Sequence, residues 1–235
     1  MFLGMFTWFL FMIPPLIFMI YAQAKVNSAF KKYSRVANMH RVTGAQAAEA
    51  LLRESGLGNV KVERIQRKLG DHYDPRHEVL RLSPEVYGNA SVAALGIVAH
   101  EIGHAVQDKT GYAFLRFRSA LVPVASVGSQ LGWFCIIGGL FLYLLAGQFG
   151  LTVLWVGIFL FALAVLFSFV TLPVEFNASN RAREMLRSTG LVSVQEYNGA
   201  SAVLSAAALT YVASFFQALA QLMYFVLLAV GLGRR

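Results

Sequence analysis

The chain has 235 residues, 57% of them apolar and 14% charged, with 19 Phe, a mean hydropathy of +0.58 and a net charge of +8. Soluble domains carry roughly 45–50% apolar and about 25% charged residues, so this composition excludes an ordinary soluble protein and fits a membrane one. The positive charge calls for no nucleic acid, because basic residues beside a bilayer suit its anionic surface and no nucleic-acid motif occurs; the lone Cys135 excludes a disulfide framework.

The first element in the chain is an uncharged apolar run over 1–22, long enough to span a bilayer. Pro14-Pro15 interrupts it, which a membrane helix tolerates, although a kink is expected there. Ala22-Gln23-Ala24 has the look of a signal-peptide cleavage site, but the run is long for a signal core and no basic residue precedes it, so it reads as a span.

Residues 23–119 are polar and read as a small α+β unit. Thr43-Gly-Ala-Gln46 is a capping box that opens a helix ending near Gly56. Alternation over 60–65 and 78–82, with turn signals at Gly70-Asp71 and Asp74-Pro75, predicts two short strands of a hairpin. The second of these could take an extended peptide by strand addition. Ser83-Pro84 opens a helical turn, since proline suits the first helical position. Residues 91–107 read as one buried helix whose apolar part is too short to cross a bilayer.

Uncharged runs at 120–146 and 151–172 are two further spans, joined at Gly147-Gln-Phe-Gly150. The polar segment 173–205 carries a helix over 174–187, a stop at Gly190 and a Ser193-Val-Gln-Glu196 capping box leading into a fourth span at 206–232. Of the 20 Lys and Arg residues, 15 lie between Lys25 and Arg118 and three more are Arg181, Arg183 and Arg187. Basic loops face the cytoplasm, so both polar segments are expected there, with the N-terminus outside; Arg234 and Arg235 then fall on the outer side, two residues against eighteen.

The chemistry lies in His100-Glu101-Ile102-Gly103-His104, the pattern H-E-x-x-H. Histidines four apart on a helix share a face and converge on one metal ion, with the intervening Glu beside the metal-activated water as general base. Three polar side chains buried in an apolar helix without a metal would be costly. A catalytic zinc needs a third protein ligand, and no His follows His104. The candidates are Glu175, His72, His77 and Asp108. Glu175 stands out because it follows the third span, on the side where the topology returns the chain, and opens the 174–187 helix. It also ends more than fifty residues without a charge. An alternative role for it is a carboxylate favoured by a helix N-terminus. His72 and Tyr73 are candidates to hydrogen-bond a tetrahedral oxyanion. Arg181 reads as an exposed helix charge.

Asp-His-Tyr-Asp-Pro (71–75), Val-Leu-Arg-Leu-Ser-Pro-Glu-Val-Tyr (79–87), Ala-His-Glu-Ile-Gly-His-Ala-Val-Gln (99–107), Leu-Pro-Val-Glu-Phe-Asn-Ala-Ser (172–179) and Ala-Ala-Ala-Leu-Thr-Tyr-Val-Ala (206–213) together resemble the neutral zinc metallopeptidase family of YugP-like membrane proteins. The resemblance implies a multi-pass protein of the bacterial inner membrane with its active site facing the cytoplasm. It also implies kinship with zincins whose third ligand is Glu, including the HtpX-type proteases of membrane protein quality control. Carried over by position, His100, His104 and Glu175 hold Zn2+ and Glu101 is the catalytic Glu. The Asp that many such zincins place four residues after the third ligand is here Ser179, so Asn177 or Asn180 is expected to brace a zinc histidine instead.

The expected fold is therefore mainly α: a four-span helical membrane protein with a small cytoplasmic α+β zincin-like metallopeptidase unit. Its expected partners are the lipid bilayer and a peptide or protein substrate. A site-2-type intramembrane protease is disfavoured, because there is no Asp-Gly motif and no spanning run around His100. The alternative function is a non-catalytic zinc-binding scaffold or partner-binding protein, which would want four protein ligands and no base.

Overall fold

A computed structural model describes the backbone of residues 2–234 and the side chains from Phe6 to Arg234. Met1, which opens the first expected span, and Arg235 lie outside the described residues.

Among the described residues there are seven helices and three strands. In chain order they are α1 (Phe2–Tyr33), α2 (Gly44–Glu54), β1 (Lys61–Arg64), β2 (His72–Asp74), β3 (Val79–Leu82), α3 (Pro84–Tyr87), α4 (Val92–Lys109), α5 (Ala113–Ala146), α6 (Gln148–Ser188) and α7 (Val194–Gly233). α1, α5, α6 and α7 are each long and apolar enough to cross a bilayer. The contacts divide the chain into two units. One is built from the N-terminal segment up to Tyr21, Arg116–Leu172 and the segment from Tyr211 onward; the other from Ala22–Leu115 and Pro173–Thr210.

The first unit is a helical assembly with an apolar exterior. Phe134, Leu144, Leu145 and Phe159 are all exposed, a surface suited to lipid and not to water. Its core gathers Ile136, Leu154, Ile158, Phe161 and Phe225, with Trp133, Phe161 and Phe225 meeting edge to face. Glycines set how closely α5 and α6 approach, as in other membrane helix pairs: a Cβ on Gly139 would stand 2.5 Å from the Leu154 amide nitrogen. The turn between these helices is tighter than the four-residue break expected from the sequence. Gly147 alone, at φ +53°, separates them.

The second unit is α+β. The Thr43 capping box forms as its sequence predicts: Gln46 N–H donates to Thr43 Oγ1 and Thr43 N–H to Gln46 Oε1. α2 ends before Gly56, at φ +67°. The expected hairpin does not form. β1 pairs with β3 in parallel, and β2, unforeseen, pairs antiparallel with β3, giving the order β1-β3-β2. The reason lies in the turn chemistry. Asp74-Pro75 makes a four-residue reversal, with Asp74 Oδ1 accepting the Arg76 amide, and it joins β2 to β3. The 60–65 run is left for β3's other edge. β3 is thus central, with both edges paired, and has no edge free to add a peptide strand.

α4 is the hub of this unit. Ser91 caps it by accepting the Ala94 amide, and eleven of its residues are buried, including Val92, Leu95, Val98 and Ile102. Small residues let its neighbours come close. Gly96 meets Ala200 of α7, and a Cβ on Gly103 would stand 2.6 Å from the Ala178 carbonyl oxygen of α6. The sequence places a helix start at 174; the structure instead carries α6 straight through Pro173. A proline inside a helix removes one N–H and crowds the carbonyl four residues earlier, here that of Phe169. Just beyond it, side chains on α4 and its exit meet two further α6 carbonyls: Gln107 Nε2 donates to Val174 O at 2.8 Å and the Tyr112 hydroxyl to Pro173 O at 3.5 Å. Glu175 is therefore interior to a helix, so a helix N-terminus is not what favours it.

Replacing Gly103 by Ala is expected to overpack the α4–α6 crossing at a cost of about 1–3 kcal/mol. Gly138→Ala, where an added Cβ meets nothing within 4 Å, should stay within ~0.5 kcal/mol of the parent. Thermal unfolding of the detergent-solubilised chain, followed by helical circular dichroism, compares the two; equal midpoints would contradict the steric reading.

Candidate metal centre

The site lies within the second unit. His100 and His104, one turn apart on α4, present their rings to the same side, with centroids 4.8 Å apart and planes at 85°. Glu175 reaches them from α6. Its Oε2 stands 3.3 Å from His100 Nε2 and 3.7 Å from His104 Nε2, and one ligand atom from each residue lies within 4.8 Å of the others. Glu175 is 3% exposed, yet its Oε2 accepts no hydrogen bond. A buried carboxylate oxygen without a donor is costly, and here it faces two imidazole nitrogens. A cation between the three resolves that cost, and two imidazoles with one carboxylate form a donor set that zinc takes in catalytic sites. The three residues fit a metal ion.

Each histidine is held through its other nitrogen. The Ser179 hydroxyl lies 3.2 Å from His100 Nδ1, and Gln107 Oε1 lies 3.0 Å from His104 Nδ1. The brace on His100 is thus Ser179 itself. Asn177 meets Gln107 and Arg181 rather than a histidine, and Asn180 accepts from Arg183. Gln107 was not singled out from the sequence, although it sits three residues after His104 on the same helix face, where such a partner is geometrically available. Arg181, expected as an exposed charge, is half-buried and donates to Asn177 Oδ1 at 2.8 Å.

Glu101 follows His100 on α4 and is partly buried. Its Oε2 accepts the Tyr73 backbone N–H at 3.1 Å, which ties α4 to the outer edge of β2. Burial pushes the Glu101 carboxyl up, against the opposing pull of His100 and His104. Desolvation draws the His104 imidazole down, but Glu175 and Glu101 outweigh it and hold it above its ordinary value. The Tyr73 hydroxyl donates to Asp108 Oδ2 at 3.1 Å, and burial, then Asp108, push that phenol up.

The other candidates lie outside the cluster. His72 is exposed, with Nδ1 2.7 Å from Gly70 O. His77 is exposed and pairs with Asp74. Asp108, also exposed, serves Tyr73. Glu175 is the one third-ligand candidate that the fold brings to the two histidines.

The family described as "Putative neutral zinc metallopeptidase" matches residues 8–230. The chain belongs to this family. It is also 42% identical over 208 residues to "Putative membrane protease YugP" of Bacillus subtilis (strain 168), covering 88% of this chain and 90% of that protein. No solved structure matches the chain. Family and relative agree with the four long apolar helices and with a cluster able to hold a metal: this is a membrane protein of a zinc-peptidase family.

The turn that delivers Tyr73 to Glu101 carries its own pH dependence. His77 and then Arg81 hold the Asp74 carboxyl well below the ordinary carboxylate range. A depressed carboxylate contributes stability that is complete above its unfolded-state pKa of about 3.9 and is lost as pH falls through the lower folded value. Asp74→Asn should therefore lower the unfolding midpoint at neutral pH, and the gap from the parent should close on acidification. A gap that is independent of pH would contradict this.

Proposed function

We propose that the chain is a membrane-anchored zinc metalloendopeptidase with a zincin-like catalytic unit facing the cytoplasm. His100, His104 and Glu175 are its metal ligands and Glu101 its general base. The single observation that carries this reading is the buried, hydrogen-bond-free Glu175 oxygen held against two Nε2 atoms. Membership of a zinc-peptidase family supports the same chemistry. The concentration of Lys and Arg in 25–118 and 181–187 supports the orientation, and the resemblance to HtpX-type proteases supports membrane protein quality control as the setting.

When bound, zinc supplies Lewis acidity that polarises the scissile carbonyl and acidifies a water. The remaining work belongs to the chain. The Tyr73 amide orients the Glu101 carboxylate through Oε2, leaving Oε1 to take the proton of the attacking water. Burial raises the proton affinity of Glu101, so it can hold that proton and return it to the leaving amine nitrogen. Ser179 and Gln107 keep the two imidazoles turned so that their Nε2 atoms converge on Glu175.

Elemental analysis of the purified chain is expected to give about one zinc per molecule, lost in Glu175→Ala and kept in Glu101→Gln. Cleavage of an unfolded fluorogenic protein by zinc-loaded chain in detergent should fall on the order of 10² or more in Glu101→Gln. Zinc retained in Glu175→Ala would remove the ligand assignment; undiminished cleavage by Glu101→Gln would remove the base.

A further inference from the structure

Gln107 is fully buried on α4 and touches three groups at once, and the chemistry of those groups allows its amide one orientation. Its Nε2 lies 2.8 Å from the Val174 carbonyl oxygen and 3.0 Å from Asn177 Oδ1. A backbone carbonyl has no proton to give, so the Gln107 nitrogen must face it. Asn177 is fixed in the same sense, because Arg181 Nε can only donate and already points at Asn177 Oδ1 from 2.8 Å. With both acceptors on the nitrogen side, Gln107 Oε1 is left facing His104 Nδ1 at 3.0 Å. That oxygen can only accept. A neutral His104 is therefore held with its proton on Nδ1 and its lone pair on Nε2, the nitrogen aimed at Glu175.

We propose that Gln107 is a positioning residue for the metal centre, the junction of a hydrogen-bond relay of fixed polarity. The relay runs from Arg181 through Asn177, with the Val174 carbonyl as second anchor, and selects the ligand tautomer of His104. Val174 immediately precedes Glu175, so the side chain that sets His104 also grips α6 beside Glu175 and ties two of the three ligands to each other. His100 receives a separate and weaker brace from the Ser179 hydroxyl, which can rotate and accept as well as donate. The relay thus does with a neutral amide, steered from outside by a guanidinium, what a carboxylate does for the metal histidines of many other sites. This inference rests on the metal ligation proposed above, but the His104 tautomer can be read without any metal.

The test uses the full chain in detergent, with 15N-labelled histidine. In metal-stripped protein at a pH where His104 is neutral, long-range 1H–15N correlation should show His104 as the Nδ1–H tautomer. Gln107→Leu should turn this into a mixture of tautomers. Competition with a zinc chelator should show zinc bound about 10–100-fold more weakly in Gln107→Leu, with less weakening in Ser179→Ala. Asn177→Asp, whose carboxylate still accepts from both Arg181 and Gln107, should keep the parent tautomer and affinity; Asn177→Leu should lose part of both. These paired variants separate the relay from a folding defect, and helical melting of the metal-free proteins confirms that they are folded. An Nε2–H tautomer in the parent, or parental zinc affinity in folded Gln107→Leu, would overturn the proposal. A parent that shows the Nδ1–H tautomer but takes up no zinc would uphold the relay and overturn the metal reading beneath it.

Discussion

The candidate site depends on how closely two helices can pass. α4 carries both histidines and Glu101, while Glu175 comes from α6, more than seventy residues later, and the two meet where Gly103 faces the Ala178 carbonyl. A side chain at 103 would force the two helices apart at this point, because its Cβ would stand 2.6 Å from the Ala178 carbonyl oxygen, and Glu175 sits one turn from Ala178 on the same helix. The fourth residue of the H-E-x-x-H pattern is free as far as ligation goes, but here packing constrains it to glycine. Ala178 one turn from Glu175, Ser179 and Gln107 then fall into place around the same crossing.

Around that crossing, polar groups are satisfied in pairs that span elements. Tyr73 joins β2 to α4 through both its amide and its hydroxyl, Asp71 accepts the Ser83 amide and hydroxyl where α3 begins, and Gln107 bridges α4 to α6. Hydrogen bonds of this kind are worth only about 1 kcal/mol each in stability, but where the group is buried, as at Gln107, a missing partner costs about 1–3 kcal/mol. They therefore act mainly by excluding other arrangements. The small sheet is one consequence: with three strands of three or four residues it could not stand alone, and the Tyr73 contacts dock its β2 edge against Glu101.

The parts of this arrangement that were legible in the sequence are those governed by local rules. Residues four apart on a helix must share a face, so His100 and His104 were paired before any fold was known. The Thr43-Gln46 and Ser193-Glu196 boxes depend on three-residue spacings, and both form. Glu175 stood out because a charge that ends a long apolar run needs a reason. What failed depended on pairing across the chain. Alternation marks a strand but does not name its neighbour, so β1 and β3 read as a hairpin and three-residue β2 passed unnoticed. Pro173 and the return of polar residues suggested a new helix at 174, yet α6 runs through the proline, and the contacts of Gln107 and Tyr112 with the Val174 and Pro173 carbonyls are ones no local rule foresees. Gln107 itself was visible at the correct spacing. Its significance appears only once Val174 and Asn177 are brought to its other side.

The two carboxylates of the site are held in different ways. Glu101 and Glu175 are two carboxylates at one site, the first partly and the second almost fully buried, accompanied by two imidazoles and, further out, Arg181. Burial alone would drive such carboxylates to take protons. At Glu175 the two imidazoles oppose that tendency, and a bound dication would supply the partner that Oε2 lacks. Glu101 is held differently: its carboxylate is anchored by the Tyr73 backbone N–H at Oε2. A structural site commonly takes four protein ligands, whereas here three residues, His100, His104 and Glu175, converge and Glu101 is engaged by the Tyr73 amide instead. The two glutamates thus hold different places, Glu175 turned to the two imidazoles and Glu101 held beside them by the Tyr73 amide, which is the arrangement the proposed division between ligand and base requires.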